Sequence, residues 1–381
     1  MRRILDIVLV LLAAQGAFGG EAPRARDLGI PFDGSPGPLN AITDVAGVTV
    51  GHATLIEDLP ASRAVRTGVT AVLPRGPASL MRPVFGAWFA LNGNGEMTGT
   101  TWIEESGQLE GPVMLTNTHS VGTVHQATIA WRIRQGEPDA TGYWWALPVV
   151  AETWDGYLND INGFHVKPEH VDAALDGAAS GPVDEGNVGG GTGMVCYEFK
   201  GGIGTASRVV DVLGASYTLG VLVQANYGIR DQLRIAGVPV GQHLREHRVY
   251  SEPDPTAGES GSIIIVVATD APLLPHQLKR VARRAALGLG RVGSIAGNGS
   301  GDIFVAFSTA DDSLGRTDRL LNHHSVPNDA INPLFTATVE AVEEAIINAL
   351  VAARDMTGDQ GHYVKALPHD ALIEVMNRYG H

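Results

Sequence analysis

The sequence has a single cysteine and, after its first twenty residues, no long apolar run. With only Cys196 present, no disulfide can form within the chain, and a buried, inert thiol is expected. A membrane-spanning helix needs about 20 consecutive apolar residues, and no segment beyond residue 20 provides them. The sequence therefore predicts no membrane association.

Positive charge is scarce as well. The 27 Lys and Arg residues are outnumbered by 41 Asp and Glu, which gives a net charge of -14, and no Lys/Arg-rich run is present. A protein that tracks phosphates needs such a run, so nucleic acid is not an expected partner. The histidines include no HExxH-type pair, and His323-His324 is an isolated doublet in a polar stretch. We therefore expect no metal site.

The first twenty residues form a unit of their own. Arg2 and Arg3 precede a short apolar run from Ile7 to Ala14, and small residues follow as far as Gly20. This order is typical of a secretory signal peptide and is too short to span a bilayer. The sequence therefore predicts that residues 1–20 are a signal peptide and that the mature protein is exported, to the periplasm or the medium.

The rest of the chain carries enough apolar residues for a large core. Hydrophobic residues make up 44% of the sequence and charged residues only 18%, which indicates a globular protein. Short β-rich and helical patterns alternate along it, and together they predict an α/β fold. The expected strands are Val48–Val50, Val69–Leu73, Pro112–Thr116 and Tyr217–Ala225, and the expected helices are Gly122–Gln135 and Pro168–Leu175.

The segment from Tyr250 to Gly261 consists of turn-forming residues without periodicity, which predicts an exposed loop. A sharper pattern follows it, with an order of strand, helix, strand and helix. Its parts are a strand at Ile263–Ala268, a helix opened by Pro275 and ended by Gly288 and Gly290, a strand at Ile303–Ser308, and a helix from Asn332.

This order places three polar side chains together. Two strands joined by a crossover helix in one sheet normally run parallel, so both begin at the same edge. Ser262 precedes the first strand, while Ser300 and Asp302 precede the second. We therefore expect two hydroxyls and a carboxylate at one edge of a sheet.

A serine at this edge needs a base before it can act as a nucleophile. No histidine close to Ser262 suggests a Ser-His-Asp triad. A cut after Gly261 would supply a base, because the new α-amine has an ordinary pKa of roughly 7.7 to 8.0. Gly261 also tolerates the strained backbone that attack on its own carbonyl requires. On its own, however, a Gly-Ser pair in a loop is more often a plain turn.

Several motifs along the chain point to one family. They are Gly93–Gly99 (GNGEMTG), Asn117–Gly122 (NTHSVG), Val150–Asp155 (VAETWD), Val188–Gly193 (VGGGTG), Val223–Gly228 (VQANYG), Gly261-Ser262 and Asn298–Asp302 (NGSGD). In this order they resemble the self-processing family of DmpA-type L-aminopeptidase/D-amidases and β-peptidyl aminopeptidases. The resemblance covers essentially the whole chain after the signal peptide.

The resemblance implies an αββα sandwich of the N-terminal-nucleophile type, built as one catalytic domain from two self-cleaved fragments. The large fragment would span residues 21–261 and the small one residues 262–381. Ser262 would serve as the nucleophile for both processing and hydrolysis. The substrate would be a short peptide, amino-acid amide or ester, no cofactor would be needed, and the protein would form a homo-oligomer, a tetramer.

The same resemblance implies roles for individual residues. Ser300 and Asp302 would orient and tune the attacking group, and Asn226 would donate to the oxyanion. Glu152 would pair with the free ammonium of the substrate. Trp154 stands where the L-aminopeptidase/D-amidase branch has a tyrosine, and Asp302 is one methylene shorter than the glutamate of the β-peptidyl branch. The choice among α-L, D and β-amino substrates therefore stays open, as does the choice between the α-amine and the Ser300-Asp302 pair as the base.

Two other functions are compatible with parts of the pattern. One is acyl transfer of the ornithine acetyltransferase type, although that fold uses a threonine nucleophile where this chain has Ser262. The other is a non-catalytic binding protein on the same scaffold. The glycine-rich stretch Val188–Gly193 superficially resembles a dinucleotide-binding loop, but it lacks the GxGxxG spacing and a preceding strand. A tight turn near the site is the preferred interpretation of this stretch.

Overall fold

The computed structural model describes residues 23–136, 145–249, 260–316 and 318–381. The expected signal peptide and residues 250–259 of the predicted loop lie outside these ranges. The last two residues of that loop, Ser260 and Gly261, belong to a strand and not to a loop. Within them, no helix is both long enough and apolar enough to cross a membrane.

The strands, numbered in chain order, are β1 Thr49–Leu59, β2 Arg63–Pro77, β3 Val84–Ala90, β4 Gln108–Leu109, β5 Val113–Asn117, β6 Val149–Thr153, β7 Val195–Cys196, β8 Phe199–Lys200, β9 Gly202–Val212, β10 Ala215–Asn226, β11 Ser260–Thr269, β12 Gly299–Ser308, β13 Met356–Thr357 and β14 Tyr363–Val364. The helices are α1 Thr100–Ser106, α2 Val121–Gln135, α3 Pro168–Asp176, α4 Val240–His243, α5 Pro275–Arg291, α6 Asn332–Ala352 and α7 His369–Arg378.

Two sheets carry the fold. The first has the strand order β1-β2-β5-β6, and the second has the order β4-β3-β12-β11-β10-β9. Most neighbouring strands are antiparallel, but β5 pairs with β6 and β11 pairs with β12 in parallel. The parallel pair β11-β12 is the one that the strand-helix-strand pattern predicts. Two further pairs, β7-β8 and β13-β14, form small separate ribbons.

The sheets stack face to face between two pairs of helices. Strand β2 illustrates the layers, since Val72 packs in the core between the sheets while Val69 and Leu73 pack under α2 and α3. Helices α5 and α6 cover the outer face of the six-stranded sheet, with Val281 and Val342 in that core. The order helix, sheet, sheet, helix is the expected αββα sandwich, which is thereby confirmed.

The C-terminal half follows the predicted order with two corrections. Strands β11 and β12 begin earlier than their apolar runs, so Ser262, Ser300 and Asp302 lie inside the strands and not before them. Hydrogen bonds between strands join backbone groups and do not require apolar side chains. Both strands therefore include the glycine-containing segments that precede the apolar runs. Helix α5 also continues through Gly288 and Gly290 to Arg291. A Cβ at Gly288 would lie 2.7 Å from the carbonyl oxygen of Val339, so this glycine permits close packing of α5 against α6.

Buried charges join the parts of the chain on either side of Gly261. Glu344 of α6 is fully buried and accepts from Arg26 at 2.7 Å and from Arg208 at 2.7 Å. Asn40 donates to the same carboxylate at 2.6 Å. These partners lower the pKa of Glu344 although burial alone would raise it. The contacts connect residues 23–249 with α6 independently of the peptide bond at Gly261, so a cut there leaves them in place.

Candidate active site

A pocket of about 350 Å³ lies where the two sheets meet at the start of β11. Strands β6, β10, β11 and β12 contribute to it. Its walls include Glu152 in β6, Trp154 just after β6, Asn226 at the end of β10, Ser262 in β11 and Gly299 at the start of β12. The structure thus brings together residues that are up to 147 positions apart in sequence.

Ser262 and Asn226 are direct neighbours across the antiparallel pair β10-β11. Residues opposite each other in such a pair have Cα atoms about 4.5 to 5.5 Å apart and side chains on the same face. That face is the one between the sheets, because Ile264 and Val266 of β11 pack in the inter-sheet core. Ser262 is only 3% exposed, so its hydroxyl is largely shielded from bulk water.

Asn226 has a fixed orientation. Its Oδ1 accepts the backbone N–H of Val195 at 2.8 Å, and its Nδ2 donates to the carbonyl of Trp154 at 2.8 Å. Because the backbone N–H of Val195 can only donate, the amide oxygen of Asn226 must face Val195 and its amide nitrogen must face Trp154. One of its two N–H bonds remains available beside Ser262, which suits a donor to an oxyanion.

Ser300 and Asp302 occupy the same edge as Ser262 but the other face of the sheet. In the parallel ladder Ser262 pairs with Gly301, while Ser300 pairs with Gly261 and Asp302 with Ile263. Side chains alternate along a strand, so those of Ser300 and Asp302 point toward the helix layer. The pair therefore flanks the Gly261–Ser262 peptide bond from the neighbouring strand.

Both members of this pair are completely buried. Ser300 Oγ donates to Asp302 Oδ1 at 2.7 Å, and Asp302 Oδ2 has no hydrogen-bond partner within the described residues. Burial raises the pKa of Asp302, and the Ser300 hydrogen bond opposes that shift. A carboxylate oxygen without a partner, next to the Gly261–Ser262 bond, is suited to accept a proton or an ammonium there.

Glu152 is held at both of its oxygens. Oε1 accepts the backbone N–H of Glu96 at 3.0 Å, and Oε2 accepts the hydroxyl of Thr118. Burial raises the pKa of this carboxyl, and the two hydrogen bonds lower it in part. A partly desolvated carboxylate on a pocket wall binds a cation strongly when a cation enters. Glu152 is thus placed to recognise an ammonium group.

Gly261 is required here for a different reason from the predicted one. It lies in the extended strand β11, and a Cβ at this position would be 2.5 Å from the carbonyl oxygen of Asn226. The same Cβ would be 2.7 Å from Cα of Tyr227. Close approach to the end of β10 therefore explains this glycine, and it holds the Gly261–Ser262 bond next to Asn226.

Comparison with known proteins identifies the family. The family model described as Peptidase family S58 matches residues 40–364, which is most of the chain. The chain belongs to peptidase family S58. The beta-peptidyl aminopeptidase BapA of Sphingosinicella microcystinivorans is 54% identical over 378 residues, covering 96% of this chain and 94% of that protein.

Solved structures agree with this assignment. The L-aminopeptidase D-Ala-esterase/amidase from Ochrobactrum anthropi, described as a variant of the Ntn hydrolase fold, is similar with a TM-score of 0.88 and 52% identity, over 94% of this chain and 99% of that one. A β-aminopeptidase from Burkholderia sp. has a TM-score of 0.86 and 49% identity, over the same shares. The protein is therefore a serine aminopeptidase of family S58 with an Ntn hydrolase fold, and the predicted family, fold and enzyme class are confirmed.

Several residues of the S58 site were not found from the sequence. Thr118 and the backbone of Glu96 hold Glu152, and Tyr157 and Tyr227 line the pocket. Thr118 and Glu96 lie in two of the motifs that indicated the family, so the segments were recognised without their roles. Tyr227 follows Asn226 directly, but nothing in its local sequence distinguishes it from a core tyrosine.

Other features of the S58 peptidase have structural roles. The glycines of Val188–Gly193 form a tight turn, and Gly193 lines the pocket, as expected. His119 stacks on Phe164 with ring centroids 5.8 Å apart. Cys196 is buried. No cluster of three or more potential metal ligands occurs in the described ranges.

Proposed function

We propose that this S58 enzyme processes itself at Gly261–Ser262 and then removes N-terminal residues from short peptides, amides or esters through an acyl-enzyme on Ser262. The observation that carries the proposal is that the hydroxyl of Ser262 and the carboxylate of Glu152 line one pocket. A cation-binding group at the pocket wall and a nucleophile at its base select substrates whose free amine is near the reacting carbonyl.

Processing begins with attack of Ser262 Oγ on the carbonyl carbon of Gly261. The bond from that carbon to the nitrogen of Ser262 breaks, and the nitrogen takes a proton and becomes a free amine. Water then hydrolyses the resulting ester, which leaves a carboxylate on Gly261 and regenerates the hydroxyl. The placement of Ser300 and Asp302 beside this bond supports a role for them in moving the proton.

After the cut, two groups are available as the base for hydrolysis. The α-amine of Ser262 has an ordinary pKa of roughly 7.7 to 8.0, close to neutral pH. The Ser300-Asp302 pair lies next to that amine and offers the unpartnered Oδ2 of Asp302 within the described residues. In this arrangement the amine accepts the Ser262 proton directly, and the Ser300-Asp302 pair, on the other face of the sheet, orients the amine and takes up the proton through it.

Hydrolysis of a substrate follows from the same geometry. Glu152 pairs with the substrate ammonium, Ser262 Oγ attacks the first carbonyl, and Asn226 Nδ2 donates to the oxyanion. The leaving amine or alcohol takes up the proton, and an ester to Ser262 remains. Water attacks that ester and releases the N-terminal residue, so the enzyme returns to its starting state.

Substrates that begin with a β-amino acid are part of the proposal. Support comes from relatives that are named for β-peptidyl and β-amino substrates. The test is a panel of p-nitroanilides of β-, α-L- and D-amino acids, each with a free and an acetylated amine. Hydrolysis is expected for free amines, with the β-series preferred. Equal rates for free and acetylated compounds would contradict the proposed role of the pocket.

Asn226→Ala is expected to lower kcat about 10²- to 10³-fold, the usual loss for one oxyanion donor, while KM changes little. The measurement is steady-state hydrolysis of the preferred p-nitroanilide. The value of kcat is calculated per mole of small fragment, so that only self-cleaved enzyme is counted. Thr338→Val, which removes a buried hydroxyl bonded within α6, is the control for general destabilisation. A change in KM alone would remove Asn226 from the oxyanion role.

Export and assembly complete the proposal. The pattern of residues 1–20 supports export to the periplasm or the medium. The resemblance to the DmpA-type family supports a tetramer, with the large and small fragments remaining associated in each protomer.

A further inference from the structure

Lys200 is buried beside the pocket without a role in the mechanism above. Its side chain is 0% exposed, and no carboxylate lies within ion-pair distance among the described residues. Burial lowers the pKa of Lys200 to about 7, while Cys196 and Asp155 act in the opposite direction. Burying an amine in this way is costly, and an apolar side chain of the same length would avoid the cost.

The amine of Lys200 is directed at three backbone carbonyls in and beyond the glycine-rich turn. Nζ donates to the carbonyl of Met194 at 2.8 Å, to that of Gly201 at 2.8 Å and to that of Gly191 at 3.3 Å. The neutral amine keeps two N–H donors for these three carbonyls, and its two shorter contacts are those with Met194 and Gly201.

The carbonyl of Met194 belongs to the peptide unit that orients Asn226. Its other end, the N–H of Val195, donates to Asn226 Oδ1 at 2.8 Å. A continuous chain of hydrogen bonds therefore runs from Lys200 Nζ through the Met194–Val195 peptide to the amide of Asn226. A donor at one end of such a chain polarises each following amide and strengthens the last donor.

We infer that Lys200 is a positioning residue for the oxyanion site, acting through the Met194–Val195 peptide to hold and polarise the Asn226 amide that faces Ser262. This inference rests on the proposed function, because it requires Asn226 to serve the oxyanion. The Met194–Val195 peptide, which directly follows the glycine-rich turn, transmits a hydrogen bond from the buried amine to the reacting centre.

The test is a double-mutant cycle between Lys200→Met and Asn226→Ala. With kcat referred to the amount of small fragment, Lys200→Met is expected to lower kcat about ten- to hundredfold, with KM changed less than about threefold. In the Asn226→Ala background the same substitution is expected to change kcat less than about twofold, because the group through which Lys200 acts is absent. Thr338→Val serves again as the control for destabilisation.

The outcomes separate the inference from the proposed function. Equal losses from Lys200→Met in both backgrounds, or a change confined to KM, would overturn the inference and leave the proposed function intact. No loss from Asn226→Ala alone would overturn the inference together with the oxyanion role of Asn226 in the proposed function. If Lys200→Met does not give folded protein, Lys200→Leu takes its place in the cycle, since its apolar side chain also has no donor for Met194. The same two criteria then apply.

Discussion

Ser262→Ala is expected to remain a single uncleaved chain and to have no measurable aminopeptidase activity. Removing the nucleophile of a serine hydrolase lowers kcat by a factor on the order of 10⁴ to 10⁶. Here the loss is compounded, because without the cut the α-amine of residue 262 never forms. Intact-mass measurement and hydrolysis of the preferred p-nitroanilide check the two effects separately.

Ser262→Cys is the matched control for this variant. It keeps a nucleophilic side chain of similar size in the same strand, so self-cleavage before residue 262 is expected to continue. A Ser262→Ala protein that still splits before residue 262 would show that another group performs the cut. Cleavage of neither wild type nor Ser262→Cys would show that the bond is stable in this fold.

Glu152→Gln is expected to lower kcat/KM for free-amine substrates about 10²- to 10³-fold, the usual effect of truncating one partner of a desolvated charge pair. Activity on acetylated substrates, already low, is expected to stay the same, so the preference for a free amine disappears. Glutamine has one acceptor oxygen where glutamate has two. It can therefore accept only one of the hydrogen bonds from Glu96 and Thr118, which adds to the loss.

The pH dependence of this effect has a definite sign. Glu152 binds an ammonium as the carboxylate, so binding is present above its pKa and is lost as the pH falls through it. Burial raises that pKa, so the acid limb of kcat/KM is expected at a higher pH than an ordinary glutamate would give. The contribution of Glu152 to this limb is expected to be absent in Glu152→Gln, while the contribution of the base that accepts the Ser262 proton remains. Glu169→Gln, an exposed glutamate in the first turn of α3, is the control, and its pH profile is expected to match the wild type.

The position of the nucleophile followed from the sequence because it depends on topology. A strand, helix and strand in one sheet run parallel with their starts at one edge, and β11 and β12 do so. That rule was enough to place Ser262, Ser300 and Asp302 at that edge. It required only that the two apolar runs and the helix between them be recognised.

The face of each side chain could not be predicted in the same way. Ile263–Ala268 is apolar at every position, because β11 is covered on both sides, so it shows no alternation that would assign faces. The structure therefore decides that Ser262 faces the inter-sheet layer while Ser300 and Asp302 face the helices. Asn226 is a similar case, since only the register of β10 against β11 places it opposite Ser262.

Contacts through the backbone were also beyond sequence reasoning. Gly288 was predicted to help end α5, but it is a point of close packing against α6. Lys200 lies at the end of the short strand β8, and its importance depends on carbonyls that the sequence does not mark. The local sequence pattern identifies the helices and strands and their order. The roles of Gly288 and Lys200 depend instead on the residues that they contact in the folded protein.

The most direct test of the account is a mass measurement on wild-type protein quenched during turnover of a slow amino-acid ester. Two fragments are expected, one ending at Gly261 and one beginning at Ser262, with the acyl group on the small fragment and located at Ser262 after digestion. An uncleaved chain, or an acyl group found on any other residue, would contradict the claim that Ser262 both cuts the chain and carries the substrate.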